Sequence, residues 1–150
     1  MGEADNPVID PATRLMAYGI PEWRIKLCVD VLSKSLTVED TDRELGKQHT
    51  TIDSAQLLMP VFRPIYQNEP EIKEAVTGEL TSISGITPEI VDEYFLKSGD
   101  QPYLVFHLAY EQRIPLETRV HFNEAAGSTV LRTVKTYLGL VTPPDQTPRH

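Results

Sequence analysis

The stretch Leu36–Leu58, LTVEDTDRELGKQHTTIDSAQLL, decides the fold that the sequence predicts. Thr37 is a good N-cap and Asp40 lies three residues later, so a first helix is expected to start there. A Leu-Gly pair ending at Gly46 is expected to end that helix, since glycine tolerates the left-handed backbone of a sharp turn. Ile52 then marks the start of a second helix. The stretch therefore predicts two short helices joined by a tight turn.

The order of a capped helix, Leu-Gly, a polar turn, Thr-Thr-Ile and a second helix resembles the helix-turn-helix unit of DNA-binding regulators. The chain departs from that pattern at Thr41 and Asp42, where such units carry an apolar residue followed by alanine. A carboxylate there has to turn outward or find a partner. An ordinary helical hairpin with a glycine turn is the alternative. The DNA contacts that the resemblance implies are Lys47, His49, Thr50 and Ser54.

A second informative stretch, GSTVLRTVKTYLGLVTPP, spans Gly127–Pro144. At roughly 100° per residue, a helix from about Ser128 buries Val130, Val134 and Leu138 on one face. Hydroxyl groups and two cations occupy the opposite face, where they suit contact with phosphates and bases. An amphipathic helix with a solvated face is the alternative. The DNA contacts expected here are Ser128, Thr129, Arg132, Lys135 and Thr136.

Two further features favour tandem winged-helix units. The ending Tyr-Leu-Gly-Leu-Val resembles the close of a winged-helix recognition helix, and Ser128–Val130 is similar to Thr50–Ile52. Pro60 and Pro64 are expected to bar a continuing helix. The segment Val61–Tyr66 is therefore expected to be extended, in the place of a wing. The predicted fold class is mainly α, with helix-turn-helix units that form a tandem winged-helix with short β-wings.

The same patterns divide the chain into four parts. A flexible arm is expected over residues 1–12, an N-terminal helix-turn-helix unit over 13–68, a C-terminal winged-helix-like unit over 69–142, and a tail over 143–150. Helices are expected to start near Pro21, Thr37, Pro70, Pro88, Pro102 and Pro115, with another from about Ser128. The residues expected to be buried are Trp23, Leu32, Leu45, Ile52, Leu104, Leu108, Val130, Val134 and Leu138.

Composition limits the classes of function. The chain has 150 residues, a net charge of −8 and a pI of about 4.9, so strong nonspecific binding to nucleic acid is not expected. The acids are unevenly spread, with nine acids against three bases in residues 51–100 and four against five in 101–150. Cys28 is the single cysteine, which excludes an intrachain disulfide and is typical of a reducing cytoplasm.

The sequence favours the first of two functions, and the second is the alternative. The first is a sequence-specific DNA-binding protein, a transcriptional regulator or a plasmid or viral factor, and the second is an acidic, non-enzymatic protein-interaction scaffold. The expected partners are double-stranded DNA, a second copy of the chain, and a protein bound through the acidic middle segment; no membrane partner is expected. No enzymatic motif or metal-ligand spacing is present, so neither a catalytic role, a cofactor nor a metal is expected. The expected location is cytoplasmic. The decisive question is whether Arg132, Lys135 and Thr136 lie in a basic patch or beside acids.

Overall fold

A computed structural model describes residues 10–99 and 101–140, and these residues form helices joined by short connections. The mainly helical prediction is confirmed, whereas no strand and therefore no β-wing is seen in the described ranges. The helices are α1 (Pro11–Ala17), α2 (Glu22–Leu32), α3 (Val38–Lys47), α4 (Ser54–Asn68), α5 (Pro70–Leu80), α6 (Pro88–Leu96), α7 (Pro102–Tyr110) and α8 (Leu116–Tyr137).

Six of the seven predicted helix starts are confirmed to within one residue, namely those at Pro21, Thr37, Pro70, Pro88, Pro102 and Pro115. Thr37 caps α3 in a capping box with Asp40: the Thr37 hydroxyl accepts from the Asp40 N–H at 3.0 Å, and the Asp40 carboxylate accepts from the Thr37 N–H at 3.2 Å. Proline occupies the first position of α5, α6 and α7, where its missing N–H leaves no helical bond unmade. Local chemistry therefore sets where these helices begin.

The chain after α3 differs from the prediction in two ways. Gly46 lies inside α3, and the residue with left-handed backbone in the turn is His49, at φ 60°. The second helix starts at Ser54 rather than Ile52, because Asp53 forms its own capping box with Gln56. The turn is therefore longer than the one predicted.

The extended segment predicted over Val61–Tyr66 is wrong, since α4 continues through both Pro60 and Pro64. A proline at position 60 leaves the carbonyl of Gln56 without its helical N–H donor. Arg24 supplies the missing donor: its Nη1 donates to the Gln56 carbonyl at 2.9 Å and to the Leu57 carbonyl at 3.2 Å. A side chain from α2 thus supplies the hydrogen-bond donor that α4 lacks at Pro60.

We expect Arg24→Ala to lower the free energy of unfolding by about 1–2 kcal/mol, because the partly buried Gln56 carbonyl loses its charged donor. Lys26→Ala is the matched control, since Lys26 is exposed on the same helix and only forms an ion pair with Glu22. Urea denaturation of both variants measures the difference. Equal losses in the two variants would show that the bond to α4 contributes nothing.

The central helix of the fold is α4, which packs against α1, α2, α3, α5, α6 and α8. Aromatic rings join α4 to α6 and α6 to α8. The ring centroids of Phe62 and Phe95 are 4.6 Å apart, and those of Tyr94 and Phe122 are 4.8 Å apart. One cluster of buried side chains runs through all eight helices described. The core therefore does not break at the predicted boundary between residues 68 and 69.

The helix predicted from Ser128 is instead the second half of α8, which runs without interruption from Leu116. Gly127 sits within this helix, facing Val38 of α3. The similarity between Ser128–Val130 and Thr50–Ile52 does not extend to structure, because the first segment is mid-helix and the second lies in the turn before α4. The predicted tail and residues 1–9 of the predicted arm lie outside the described residues, while Pro11 and Ala12 belong to α1.

Burial follows the prediction for part of the chain. Leu32, Leu45, Val130 and Val134 are buried as predicted, and Ile52 and Leu138 are partly buried. Trp23, Leu104 and Leu108 are exposed, so the prediction is wrong for these three. The guanidinium of Arg24 lies 4.7 Å from the ring centroid of Trp23 and covers one of its faces.

Candidate functional site

The four N-terminal residues predicted to bind DNA are mostly engaged within the fold. Lys47 and His49 are exposed, and the Lys47 ammonium lies 3.1 Å from the Glu44 carboxylate. The Thr50 hydroxyl donates to the carbonyl oxygen of Leu45 at 3.1 Å. Ser54 is buried at the start of α4. Only two of the four side chains are therefore open to a partner.

The unusual Thr41-Asp42 pair in α3 has a local explanation. Thr41 is buried, and its hydroxyl donates to the Thr37 carbonyl at 3.0 Å. Asp42 accepts a hydrogen bond of 2.7 Å from the backbone N–H of Ser54, one of the free donors at the start of α4. The Asp42 carboxylate therefore has a hydrogen-bond partner, and this bond joins α3 to the start of α4.

The second helix of the predicted helix-turn-helix unit does not have the free face that a groove-reading helix needs. No residue of α4 before Gln67 is exposed, because other helices surround it. Leu57 and Val61 lie opposite Ala55 and Met59, on the side of α4 that a DNA-reading helix would turn toward the bases, and both are buried. The two helices form a hairpin whose second member is the centre of the core.

Three of the five C-terminal residues predicted to bind DNA are engaged within the chain, while Ser128 and Thr136 are exposed. Thr129 is only 1% exposed, and its hydroxyl donates to Glu79 at 3.1 Å. Nη2 of Arg132 lies 2.5 and 2.7 Å from the two carboxylate oxygens of Glu79. Nζ of Lys135 donates to the carbonyl oxygen of Ser35, just beyond α2, at 2.5 Å. The two cations on which the DNA prediction depends are therefore already paired.

A groove of about 590 Å³ separates the start of α3 from α8. It brings together Ser128, Arg132 and Lys135, while Thr136 lines a neighbouring groove between α5 and α8. Glu39 and Glu124 line the first groove as well. The cations thus lie beside acids, and the groove has no excess of positive charge.

A cluster around Glu69 joins three parts of the chain and had no signal in the sequence. One carboxylate oxygen accepts from the hydroxyls of Tyr18 at 2.8 Å and Tyr137 at 2.9 Å, and Arg14 lies 3.5 Å away. Burial raises the pKa of the Glu69 carboxyl, but the hydrogen bonds from Tyr18 and Tyr137 outweigh it and hold that pKa below its ordinary value. The cluster ties α1 and the end of α8 to the junction of α4 and α5.

Large apolar side chains are exposed on the hairpin of α7 and α8. On α7, Pro102, Phe106 and Tyr110 face the core, so Leu104 and Leu108 point the opposite way, and Leu108 is 62% exposed. We define the α7–α8 apolar face by the exposed residues Tyr103, Leu104, Val105, Leu108, Leu116 and Val120. Sequence reasoning assigned α7 to the core because apolar residues surround it, and that composition was the available signal.

Beside this face lies a buried cation that forms no ion pair with a described residue. Arg119 is 5% exposed, and its Nη1 donates to the carbonyl oxygen of His107 and also lies 3.0 Å from its Nδ1. Nε is enclosed and is the one buried side-chain nitrogen or oxygen of the described residues without a hydrogen-bond partner. Buried charges are normally paired, so this arrangement is unusual.

Neither a metal site nor a membrane-spanning helix is seen in the part of the chain that the structure describes. Within residues 10–99 and 101–140, no three His, Cys, Asp or Glu side chains are grouped so that they could hold a metal ion. In the same ranges no helix has the length and apolar character needed to span a bilayer. Comparison with protein-family models, curated proteins and solved structures finds no match to this chain.

Proposed function

We propose that this protein is a non-enzymatic protein-binding module and that the α7–α8 apolar face is its binding surface. The observation that carries this proposal is the exposure of six large apolar side chains on one hairpin. Large apolar side chains that are exposed together on one hairpin favour the docking of a partner, because burying them stabilises the complex. The hairpin packs on the aromatic core through Phe106 and Phe122, whose ring centroids are 5.0 Å apart.

Charge supports this proposal over DNA binding. The chain has a net charge of −8, and nucleic-acid affinity depends on cations that replace the counterions of phosphates. Arg132 and Lys135 would have to leave Glu79 and the Ser35 carbonyl before they could contact DNA. No comparable competition exists at Leu104 and Leu108, which are exposed.

A photo-crosslinking amino acid at Val105 tests the proposal in cells that produce the protein. We expect a covalent adduct with a protein at this position, and we expect its loss when Leu108→Asp is added, because a charge on the face opposes burial. The same crosslinker at Val29 is the matched control, since Val29 is exposed to a similar degree but lies on α2. Mass spectrometry identifies the adduct.

Two outcomes would contradict the proposal. One is equal crosslinking from positions 105 and 29, or crosslinking at 105 that Leu108→Asp leaves intact. The other is a gel shift with duplex DNA at low salt that Arg132→Ala weakens, which would restore the DNA-binding hypothesis. We expect no such shift, because the Arg132 guanidinium is already hydrogen-bonded to the Glu79 carboxylate.

A further inference from the structure

Charged side chains on the α7–α8 hairpin form no ion pair with a described residue, and these charges indicate what covers the α7–α8 apolar face. Nη2 of Arg119 has no acceptor among the described residues, and unlike Nε it is not fully enclosed, although the residue as a whole is only 5% exposed. No Asp or Glu of the described residues forms an ion pair with Arg119. A carboxylate arriving from outside would supply the counter-charge that this guanidinium lacks.

Carboxylates of this kind are present on the same hairpin. Glu111 and Glu117 are exposed, at the end of α7 and in the first turn of α8. Neither forms an ion pair with a described residue. The hairpin thus carries two cations that form no ion pair with a described residue, buried Arg119 and exposed Arg113, together with the two acids and the large apolar side chains. Such a surface is complementary to itself.

We propose that a second copy of this chain covers the α7–α8 apolar face in a two-fold symmetric dimer. In such a dimer the same patch meets itself, so Leu104 and Leu108 of the two copies bury one another. The Glu111 and Glu117 carboxylates of each copy then face Arg119 of the other. This inference rests on the proposed protein-binding function and names the partner for that same surface.

Sedimentation equilibrium of the purified 150-residue chain, across the micromolar range, tests the inference. We expect the wild type to pass from monomer to dimer as concentration rises. Leu108→Asp should weaken the association by at least about 100-fold, since a charge then has to be buried at the centre of the contact. Val29→Asp introduces the same charge on α2 and should leave the association unchanged. Circular dichroism confirms that both variants keep their helices.

A second pair of variants tests the charge pairing without touching buried groups. The double variant Glu111→Gln/Glu117→Gln should weaken the dimer by about tenfold, because Arg119 then faces neutral amides. Glu39→Gln/Glu74→Gln changes the net charge equally at exposed sites elsewhere and is the matched control. We expect the control to dimerise like the wild type.

Each contrary result has a definite meaning. A wild type that stays monomeric throughout overturns the dimer, while the proposed function is decided separately by whether a different protein crosslinks at position 105. A dimer that tolerates Leu108→Asp forms through another surface and also overturns the inference. A dimer that tolerates Glu111→Gln/Glu117→Gln as well as it tolerates the control overturns the pairing with Arg119.

Discussion

Replacing Phe62 by alanine is expected to lower the free energy of unfolding by about 3–5 kcal/mol. Phe62 is fully buried in α4, the helix that most other helices contact. Its ring lies 4.6 Å from that of Phe95 and 5.7 Å from that of Tyr66, between centroids. Alanine would leave a cavity among these large rings, which cannot collapse without moving α6.

Urea denaturation followed by circular dichroism measures this loss, with Leu36→Ala as the control. Leu36 is 84% exposed in the loop before α3, so its truncation should change stability by no more than about 0.5 kcal/mol. A loss below about 1 kcal/mol for Phe62→Ala would mean that α4 is not the centre of the core.

The helix starts could be predicted from the sequence because they depend on a few neighbouring atoms. Thr37 and Asp40 satisfy backbone donors within one turn, and these two bonds need no residue from another helix. The effect of Pro70, Pro88 and Pro102 is equally local, because a fixed φ and a missing N–H suit a first helical position.

The course of α4 could not be predicted, because the bond that repairs it comes from another helix. The rule against proline assumes that the freed carbonyl stays without a donor. Arg24 lies 32 residues before Gln56 and donates to its carbonyl, which no local pattern indicates. Burial of Val61, Phe62 and Ile65 then favours the helix over an extended segment.

The orientation of α7 was ambiguous for a different reason. Periodicity identifies a buried face only where polar residues mark the opposite side, and α7 has almost none. Leu104 and Leu108 therefore looked as suited to the core as Phe106. Packing decides between them: the Phe106 ring meets Tyr94 and Phe122, and the two leucines are left outside.

The contacts of the candidate site residues could not be predicted from the sequence either. The phase of α8 placed Arg132 opposite Val134 correctly, and Arg132 is indeed exposed. The sequence could not indicate that Glu79, 53 residues earlier, would hold its guanidinium, or that Lys135 would reach a carbonyl 100 residues away. A helical phase gives the direction of a side chain, whereas its function depends on which neighbours the fold brings to it.

Replacing Glu69 by alanine is expected to lower the free energy of unfolding by about 1.5–3 kcal/mol at neutral pH. The change removes the acceptor of the Tyr18 and Tyr137 hydroxyls, which are bonded to it at 2.8 and 2.9 Å, and the ion partner of Arg14. Glu71→Ala is the matched control, because Glu71 is exposed two residues further along and should change stability little.

The contribution of Glu69 should also depend on pH, in a direction that its environment fixes. The hydroxyls of Tyr18 and Tyr137 hold the pKa of the folded-state carboxyl below its ordinary value, against the opposite effect of burial. The stabilisation is therefore present above the unfolded pKa of about 4.3 and is lost as pH falls through the lower folded pKa. Urea denaturation of the wild type and Glu69→Gln, at neutral pH and below the ordinary glutamate pKa, measures this difference. We expect the stability gap between the two proteins to narrow in acid, and a gap that stays constant would show that ionised Glu69 is not what holds the cluster.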